Sequence, residues 1–330
     1  LKGNSTLKVT DGWSAYLAAG AIVDGQIYIE HSKNSHVSGR GMLMNGERRV
    51  VAMISGSENS GMEGIIVHGH RAQCWNTIIG ESRGCSFRNM ALITTRYAST
   101  DGLDVNLSQD IVVDNVFIRS ADDAVAIKAL GNHDKKPAEC GVNRNLSFSR
   151  MQLWNDCNNA FGIGAETRAS VYENIKLVDS DVLYSYDDPN FHEKLEERSA
   201  LNLCALQGTY FKNLLYDNIR VNRCQRLIAM GFRSDFWFGS IPGDQTTPGG
   251  IGNVVFRNIT SPNATGSSIS NDILLYGWHK EGTPDKYIEN VTFENVSIMG
   301  HLLNNINSPY ICTNNTAGLD LVKNVKFINH

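Results

Sequence analysis

The chain alternates short apolar segments with polar residues, and an asparagine recurs at the same place in most segments. Clear copies are Phe87-Arg88-Asn89-Met90 and Val113-Asp114-Asn115-Val116. The recurring position is occupied in turn by residues 89, 115, 150 (an arginine in a degenerate copy), 174, 218, 258, 295 and 329, at separations of 24 to 44 residues. Periods of this length are typical of repeat architectures with insertions of variable length.

Each segment predicts a short β-strand, because apolar and polar residues alternate with period two and the segments are rich in Val, Ile, Phe and Tyr. A single short strand buries little apolar surface, so successive coils are expected to stack and fill a common interior. The pattern therefore predicts an all-β chain folded as a parallel β-helix. A β-sandwich or propeller is the alternative, but it requires Asn-Gly or Asp-Gly hairpin turns, which are scarce here.

The recurring asparagine is expected at a turn between strands. Asparagine tolerates the left-handed backbone region, and its side-chain amide bonds neighbouring polar groups. Stacked copies on successive coils are then predicted to form a ladder of amide hydrogen bonds.

The composition is that of a folded protein with enough apolar residues for a core, and it argues against several functions. The 330 residues are 42% hydrophobic and 19% charged, which is typical of one or more globular domains. The net charge of -4 argues against a nucleic-acid partner, and no run approaches the roughly 18 to 20 apolar residues of a membrane span. Seven cysteines without a Cys-x-x-Cys pair argue against a zinc site and a complete disulfide framework, and leave room for one or two disulfides.

The whole chain, residues 1–330, is interpreted as a single parallel β-helix domain, because no linker or low-complexity tract divides it. Residues 186–198 and 239–252 resemble long excursions from the coils. Such insertions either wall a binding groove or are solvated loops, and the sequence leaves both open.

Three carboxylates form the strongest chemical signal. Asp101 lies in Ser99-Thr100-Asp101-Gly102, and Asp122 and Asp123 are adjacent in Ser120-Ala121-Asp122-Asp123-Ala124. The 21 residues between Asp101 and Asp122 are close to one coil, which would place the three acids on one surface. Neighbouring negative charge and an apolar interior both raise a carboxyl pKa, as a general acid requires. Ordinary turn residues are the alternative interpretation.

These motifs resemble those of glycoside hydrolase family 28, the polygalacturonases, and equally those of family 49, the dextranases and isopullulanases. Both families are right-handed parallel β-helices that hydrolyse glycosidic bonds with inversion. The resemblance implies that Asp122 is the general acid and that Asp101 and Asp123 hold and activate water.

Two departures favour family 49 over family 28. Family 28 normally has a Gly-His-Gly motif one coil later and an Arg-Ile-Lys motif beyond it, whereas residues 158–166 here contain no histidine and Arg-Ile-Lys is absent. The segments at residues 13–23, 37–41 and 153–159 resemble family 49, and the resemblance runs from about Trp13 to Tyr186. Family 49 also has an N-terminal β-sandwich domain, which this chain would have lost or had removed.

Further side chains are candidates for contacts with a sugar. Lys128 and Arg168 could donate hydrogen bonds, Glu166 could accept them, and the aromatic rings of Trp154, Tyr186 and Trp237 offer apolar faces for a pyranose. Solvated charges and core packing are the competing interpretations for these residues.

The favoured hypothesis is an inverting hydrolase of a polysaccharide, with a neutral α-glucan such as dextran or pullulan as substrate and neither metal nor organic cofactor. A pectin hydrolase of the polygalacturonase type comes second. A polysaccharide lyase using calcium and an arginine base, or a non-catalytic carbohydrate-binding solenoid, are the remaining alternatives. A polysaccharide partner predicts a secreted, periplasmic or cell-surface location.

Overall fold

The computed structural model describes residues 5–45, 50–69, 74–130, 135–186, 198–206, 208–233, 249–262, 273–314 and 319–330. Most of the two predicted excursions, residues 187–197 and 239–248, lies outside the described residues, as does Trp237.

Two sheets run along the molecule, and in each the strands of successive coils lie side by side. The first sheet has 11 strands: β1 (Thr6–Lys8), β4 (Gln26–Glu30), β7 (Ala52–Ser55), β10 (Thr77–Gly80), β13 (Leu103–Asn106), β16 (Val125–Leu130), β19 (Phe161–Arg168), β21 (Leu201–Ala205), β23 (Ile228–Phe232), β25 (Ile273–Leu275) and β28 (Ile311–Thr313). Every neighbouring pair in this sheet is parallel.

The second sheet has 18 strands and covers the other sides of the solenoid. Its strands are β2 (Ser14–Leu17), β3 (Ile22–Asp24), β5 (His36–Gly39), β6 (Met42–Met44), β8 (Gly61–Glu63), β9 (Ile66–Gly69), β11 (Ser86–Arg88), β12 (Ala91–Thr94), β14 (Gln109–Asp114), β15 (Phe117–Ser120), β17 (Val142–Ser149), β18 (Gln152–Asn155), β20 (Val171–Ser185), β22 (Tyr210–Val221), β24 (Gly250–Ser261), β26 (Ile288–Ile298), β27 (His301–Leu302) and β29 (Val322–Ile328). Up to β18 each coil contributes two short strands to this sheet, and from β20 they merge into one long strand that pairs with both β17 and β18. Only β27 pairs antiparallel among these strands.

Apolar side chains stack along the interior because equivalent positions of successive coils are in register. In the first sheet one stack contains Ile29, Ile54, Ile79, Val105, Ile127, Ile163, Leu203, Met230 and Leu275, all nearly or fully buried. In the C-terminal coils the rings of Tyr216, Phe256, Phe293 and Phe327 stack with centroids 4.8 to 5.5 Å apart. The prediction of a parallel β-helix is thus confirmed.

The predicted asparagine turns are confirmed as well. Asn89 and Asn115 have φ values of 54° and 53°, in the left-handed region, and the Asn115 amide donates to Asn89 Oδ1 at 2.8 Å. In the C-terminal coils Asn295 donates to Asn258 Oδ1 at 3.1 Å in the same way. These bonds satisfy polar groups at the corner where the chain changes direction.

The predicted single ladder is wrong in one respect, since it merges two columns. Asn174 bonds Asn145 and Asn213 on neighbouring coils, at 3.1 and 3.3 Å, and does not continue the column of Asn115. Asp179 occupies the expected place below Asn218, which donates to it at 2.7 Å. Each long strand of the second sheet bends at two left-handed positions, and the sequence repeat could not show which of the two an asparagine marks.

Helical structure is limited to a single 3-10 turn, Pro137–Glu139, among the described residues. No helix in this part of the chain has the length and apolar character needed to cross a membrane.

Candidate active site

Asp101 and Asp104 enter the site from the start of β13. Leu103 and Val105 point into the core, so Asp104 between them faces out of the solenoid interior. Both carboxylates are nevertheless buried, at 1% and 0% exposure.

Asp122 and Asp123 lie on the next coil, in the turn that joins β15 to β16. The Gly102 amide donates to the Asp123 carbonyl at 2.8 Å and so ties this turn to Asp101. A Cβ atom at Gly102 would lie 2.3 Å from Ile118 Cγ2, so only glycine permits this approach. One carboxylate oxygen from each of Asp101, Asp122 and Asp123 lies within 4.8 Å of the others, so the structure brings the three predicted acids together.

The third coil supplies hydrogen-bond donors to the pair. Asn158 Nδ2 donates to Asp122 Oδ1 at 2.8 Å. Asn159 donates to Asp123 Oδ1 twice, from its side-chain Nδ2 at 2.9 Å and from its backbone nitrogen at 3.0 Å. The backbone amide of Ser99 donates to Asp122 Oδ2 at 2.8 Å. Asp122 and Asp123 are therefore held in fixed orientations, and Asp122 is the more exposed of the two.

Lys128 is buried against the cluster of acids and is not on an exposed surface. Its Nζ atom is 2.6 Å from Asp101 Oδ2 and 3.2 Å from Asp104 Oδ1, and it lies 4.3 Å from the ring centre of Trp75. The residue is 6% exposed. Sequence reasoning placed Lys128 among the sugar-binding candidates, whereas in the structure its ammonium group is occupied by two carboxylates.

Burial and mutual repulsion control the ionisation of the cluster. Burial raises the pKa of Asp101 to about 6, although the positive charge of Lys128 opposes the shift. Burial, together with repulsion from Asp101 and Asp122, raises the pKa of Asp123 well above its usual range. Burial likewise raises the pKa of Asp104, against the opposing charge of Lys128. Burial alone would lower the pKa of Lys128, but the surrounding carboxylates outweigh it and raise that pKa.

A divalent cation is poorly suited to this cluster, although three carboxylates are a common ligand set. The Lys128 ammonium already pairs with Asp101, and its charge would repel a second cation nearby. The donors on Asp122 and Asp123 also occupy oxygen atoms that a cation would need.

The other candidates occupy two different places. Glu166 and Arg168 lie on β19, at 7% and 2% exposure, and Arg168 Nη1 donates to the Lys135 carbonyl at 2.7 Å. The charge of Glu166 acts on both Asp101 and Lys128. Glu166 Oε2 is buried without a hydrogen-bond partner among the described residues.

Trp154 and Tyr186 belong to an aromatic row on the neighbouring face. The Trp154 ring stacks on Tyr184 at 5.2 Å, and Tyr184 stacks on Tyr186 at 4.8 Å. Arg119, from the preceding coil, covers Trp154 at 5.2 Å, and Arg223, from the following coil, lies over Tyr186 at 5.6 Å. These contacts occupy ring faces that a stacked pyranose would need.

Sequence reasoning did not select Asp104, Asn158 or Asn159. The signal for the asparagines is their position in the repeat, since Val125 pairs with Phe161 and this register places Asn158 and Asn159 beside Asp122 and Asp123. Asp104 differs, because its burial with Lys128 depends on a side-chain arrangement that no repeat encodes.

Three solved structures that share this fold are polygalacturonases. The Thermotoga maritima exopolygalacturonase aligns with a TM-score of 0.63 at 11% identity, covering 99% of this chain and 84% of that one. The polygalacturonase from Erwinia carotovora ssp. carotovora aligns with a TM-score of 0.60 at 15% identity, covering 98% and 85%. The family 28 exopolygalacturonase of Yersinia enterocolitica aligns with a TM-score of 0.58 at 12% identity, covering 99% and 71%.

At these identities the comparison establishes the fold, which is a right-handed parallel β-helix. No protein-family model matches the chain, and no curated protein sequence matches it. The predicted similarity to family 49 in particular is not reflected in these three structures and remains a prediction from motifs.

Proposed function

We propose that the protein is an inverting glycoside hydrolase that cleaves a neutral polysaccharide. The observation that carries this proposal is the convergence of Asp101, Asp122 and Asp123 from two successive coils, with oxygen atoms within 4.8 Å. Hydrolysis of a glycosidic bond needs one carboxyl that gives a proton and another that accepts one. A cluster whose members have different burial and different partners can divide these roles.

Asp122 serves as the general acid. It has intermediate exposure, whereas Asp101 and Asp123 are 1% and 6% exposed, so Asp122 is the member best placed to reach a glycosidic oxygen. A water molecule held by Asp101 and Asp123 attacks the anomeric carbon and gives its proton to Asp101. The bond from that carbon to the glycosidic oxygen breaks, and the oxygen takes the proton of Asp122.

Inversion is proposed from the motif resemblance and not from the distances. Carboxyl groups about 5 to 5.5 Å apart usually go with retention, and those about 6.5 to 9.5 Å apart with inversion. The spacing of 4.8 Å or less between nearest oxygens would by itself favour retention. The resemblance supplies a different arrangement, in which a third aspartate helps to hold the attacking water. Proton NMR of the first product distinguishes the two outcomes by its anomeric configuration.

The charge around the cluster favours a neutral substrate over a uronate polymer. Within the described residues, the carboxylates of Asp101, Asp104, Asp122, Asp123 and Glu166 outnumber the Lys128 ammonium that interacts with them, and a polyanion would add repulsion. On the next strand, β21, the positions that alternate with the core residues Leu201 and Leu203 are Asn202 and Cys204, which carry no positive charge. We expect an α-glucan such as dextran or pullulan, met outside the cell because such polymers are too large to enter it.

Release of reducing ends from dextran, pullulan and polygalacturonate tests the proposal, with Asp122→Asn as the matched inactive variant. We expect cleavage of a neutral glucan by the wild type and a loss of about 10²- to 10⁴-fold in the variant. Cleavage of polygalacturonate alone would replace the neutral substrate by a pectic one. Full activity of Asp122→Asn, or no cleavage of any glycan in a broad panel, would remove the hydrolase assignment.

A further inference from the structure

Lys128 contacts some carboxylates of the cluster and not others. Its ion pairs among the described residues are with Asp101 and Asp104, at 2.6 and 3.2 Å. The adjacent Asp122 and Asp123 instead accept hydrogen bonds from Asn158, Asn159 and backbone amides. Of the three clustered aspartates, Asp101 is thus the one whose carboxylate is paired with an ammonium group, whereas Asp122 and Asp123 accept hydrogen bonds from neutral amides.

Burying these three charges carries a large desolvation penalty, which is unusual for a group that serves only to stabilise the fold. All three members of the Asp101, Lys128 and Asp104 group are buried, and removing three charges from water costs more than one ion pair returns unless geometry is favourable. Lys128 Nζ lies 3.2 Å from Asp104 Oδ1, and Asp104 Oδ2 is buried with no hydrogen-bond partner in the described part of the chain, so Asp104 depends on Lys128. The Trp75 ring also contacts the ammonium group, with its centre 4.3 Å from Lys128 Nζ.

Other charged and titratable groups also face this position. Asp122 and Asp123 approach from the turn before β16, Glu166 from β19, and the Tyr172 hydroxyl from β20. All the carboxylates among them oppose ionisation of Asp101. Lys128 is the cationic group that contacts Asp101 directly within the described residues.

We propose that Lys128 is a positioning residue for the hydrolysis: held between Asp101 and Asp104, it keeps the Asp101 carboxylate ionised and oriented towards the attacking water. Asp104 contacts the same ammonium group and shares its charge. This inference rests on the proposed function for its catalytic meaning, but the electrostatic effect of Lys128 on Asp101 can be measured without turnover.

The direct test is a titration of Asp101 followed by carbon-13 NMR of aspartate carboxyl groups, with the resonance assigned by its absence in Asp101→Asn. In Lys128→Met we expect the midpoint of Asp101 to rise by more than about one pH unit. In Asp104→Asn we expect it to fall, because Asp101 no longer shares the lysine. Lys176→Met, which removes an exposed lysine on β20, is the control and should leave the midpoint unchanged.

Kinetics then separate positioning from substrate binding. We expect Lys128→Met to lower kcat about 100-fold at pH 6.5, with KM within about threefold of the wild type. Its loss of kcat on the acid side should also begin at a higher pH. Lys128→Arg keeps the charge and should recover at least about tenfold of the lost kcat.

An unchanged Asp101 midpoint in folded Lys128→Met overturns the proposal, as does an increase in KM at constant kcat, which would assign Lys128 to substrate binding. If Lys128→Met does not fold, Asp104→Asn and Lys128→Arg decide, and an Asp101 midpoint that does not fall in Asp104→Asn overturns it. If the wild type cleaves no glycan, the proposed function fails, while the titration still decides whether Lys128 keeps Asp101 ionised.

Discussion

Asp123 carries its carboxylate in a buried position where two neighbouring acids repel it. Burial is the largest cause of its raised pKa, and the hydrogen bonds from Asn159 offset this only in part. Residues that serve chemistry are often kept at a cost in stability. In the proposed function Asp123 is such a residue, because its carboxylate holds the attacking water.

Replacing Asp123 with asparagine should therefore stabilise the protein while abolishing turnover. The Asn carbonyl can still accept from Asn159, whereas the buried charge is gone. We expect the free energy of unfolding at pH 7.5 to rise by on the order of 1 kcal/mol, because the substitution removes the burial and repulsion that raise the pKa of this carboxyl. Urea unfolding and reducing-end release measure the two effects. A variant that is less stable than the wild type would contradict the view that this charge is strained.

The activity should decline as the pH falls below about 6, the pKa of Asp101. Asp101 must be ionised to accept a proton, so kcat/KM should drop about tenfold per pH unit below this value. A profile that is flat down to pH 5 would exclude Asp101 as the base.

This acid limb should not reflect unfolding. Because the folded pKa of Asp101 is raised above the ordinary 3.8, the native state binds more protons between these values, and Asp101 adds stability as the pH falls through the window. Asp114, Glu173 and Asp217 have lowered pKa values because Arg150, Lys212 and Arg257 bond them, and their contributions are lost only at lower pH. Circular dichroism at pH 5 should match that at pH 7, and loss of signal there would contradict this account.

Removal of divalent cations should leave the activity unchanged, since Lys128 supplies the positive charge beside Asp101. Assays with EDTA and with added calcium after dialysis are the measurement. A loss with EDTA that calcium restores would favour the lyase alternative.

At the level of single residues the sequence predicted that the three acids lie together, because the 21 residues from Asp101 to Asp122 are one short of the 22-residue coil that pairs Leu103 with Val125. It could not predict the environment of Lys128, since a lysine in an apolar strand is compatible with a solvated or a buried position. The sequence also could not show that arginines cover the rings of Trp154 and Tyr186, because Arg119 and Arg223 come from other coils.

Among the elements, the left-handed corners are the feature most directly encoded by residue type. Asn115 has a φ of 53° and its amide donates to Asn89, so the corner uses both the backbone tolerance and the side chain of asparagine. The sequence repeat predicted these corners but merged two columns, because Asn145 and Asn174 mark a different bend from Asn115. Hydrophobic periodicity is the same on both sides of each bend and does not separate them.

Asn115→Ala and Asn115→Gly should differ, although both remove the side-chain hydrogen bond. Alanine in the left-handed region costs about 1 to 2 kcal/mol, whereas glycine adopts it freely. We expect Asn115→Ala to be the less stable variant in urea unfolding, by about 1 kcal/mol. Equal stabilities would mean that the hydrogen bond to Asn89, and not the backbone conformation, accounts for the preference for asparagine.

Across the whole molecule each coil contacts mainly the coils before and after it, as the pairing of β10 with β7 and β13 illustrates. The parallel β-helix was predictable because this repetition writes the same pattern into the sequence many times. The excursions were predictable only as interruptions, since nothing in a solenoid repeat specifies the path of an insertion.

Linear contact of this kind predicts a gradient of stability along the axis. In the described residues β1 pairs only with β4 and β29 only with β26, so in this 330-residue chain their coils should open more easily than the coils that carry the acids. Amide hydrogen exchange should be slowest in β13, β16 and β19 and faster in β1 and β29. Uniform protection along the chain would instead indicate that the solenoid opens as a single unit.

The register between Leu103 and Val125 has a consequence for how such a chain can change over evolutionary time. Whole turns gained or lost near either end leave the reacting groups in phase with one another. Deleting a single residue between Asp101 and Asp122 would rotate one acid out of alignment with the other and abolish the proposed catalysis. The length of the segment between Asp101 and Asp122 sets the alignment of the acids, so this segment should tolerate substitutions far better than insertions or deletions.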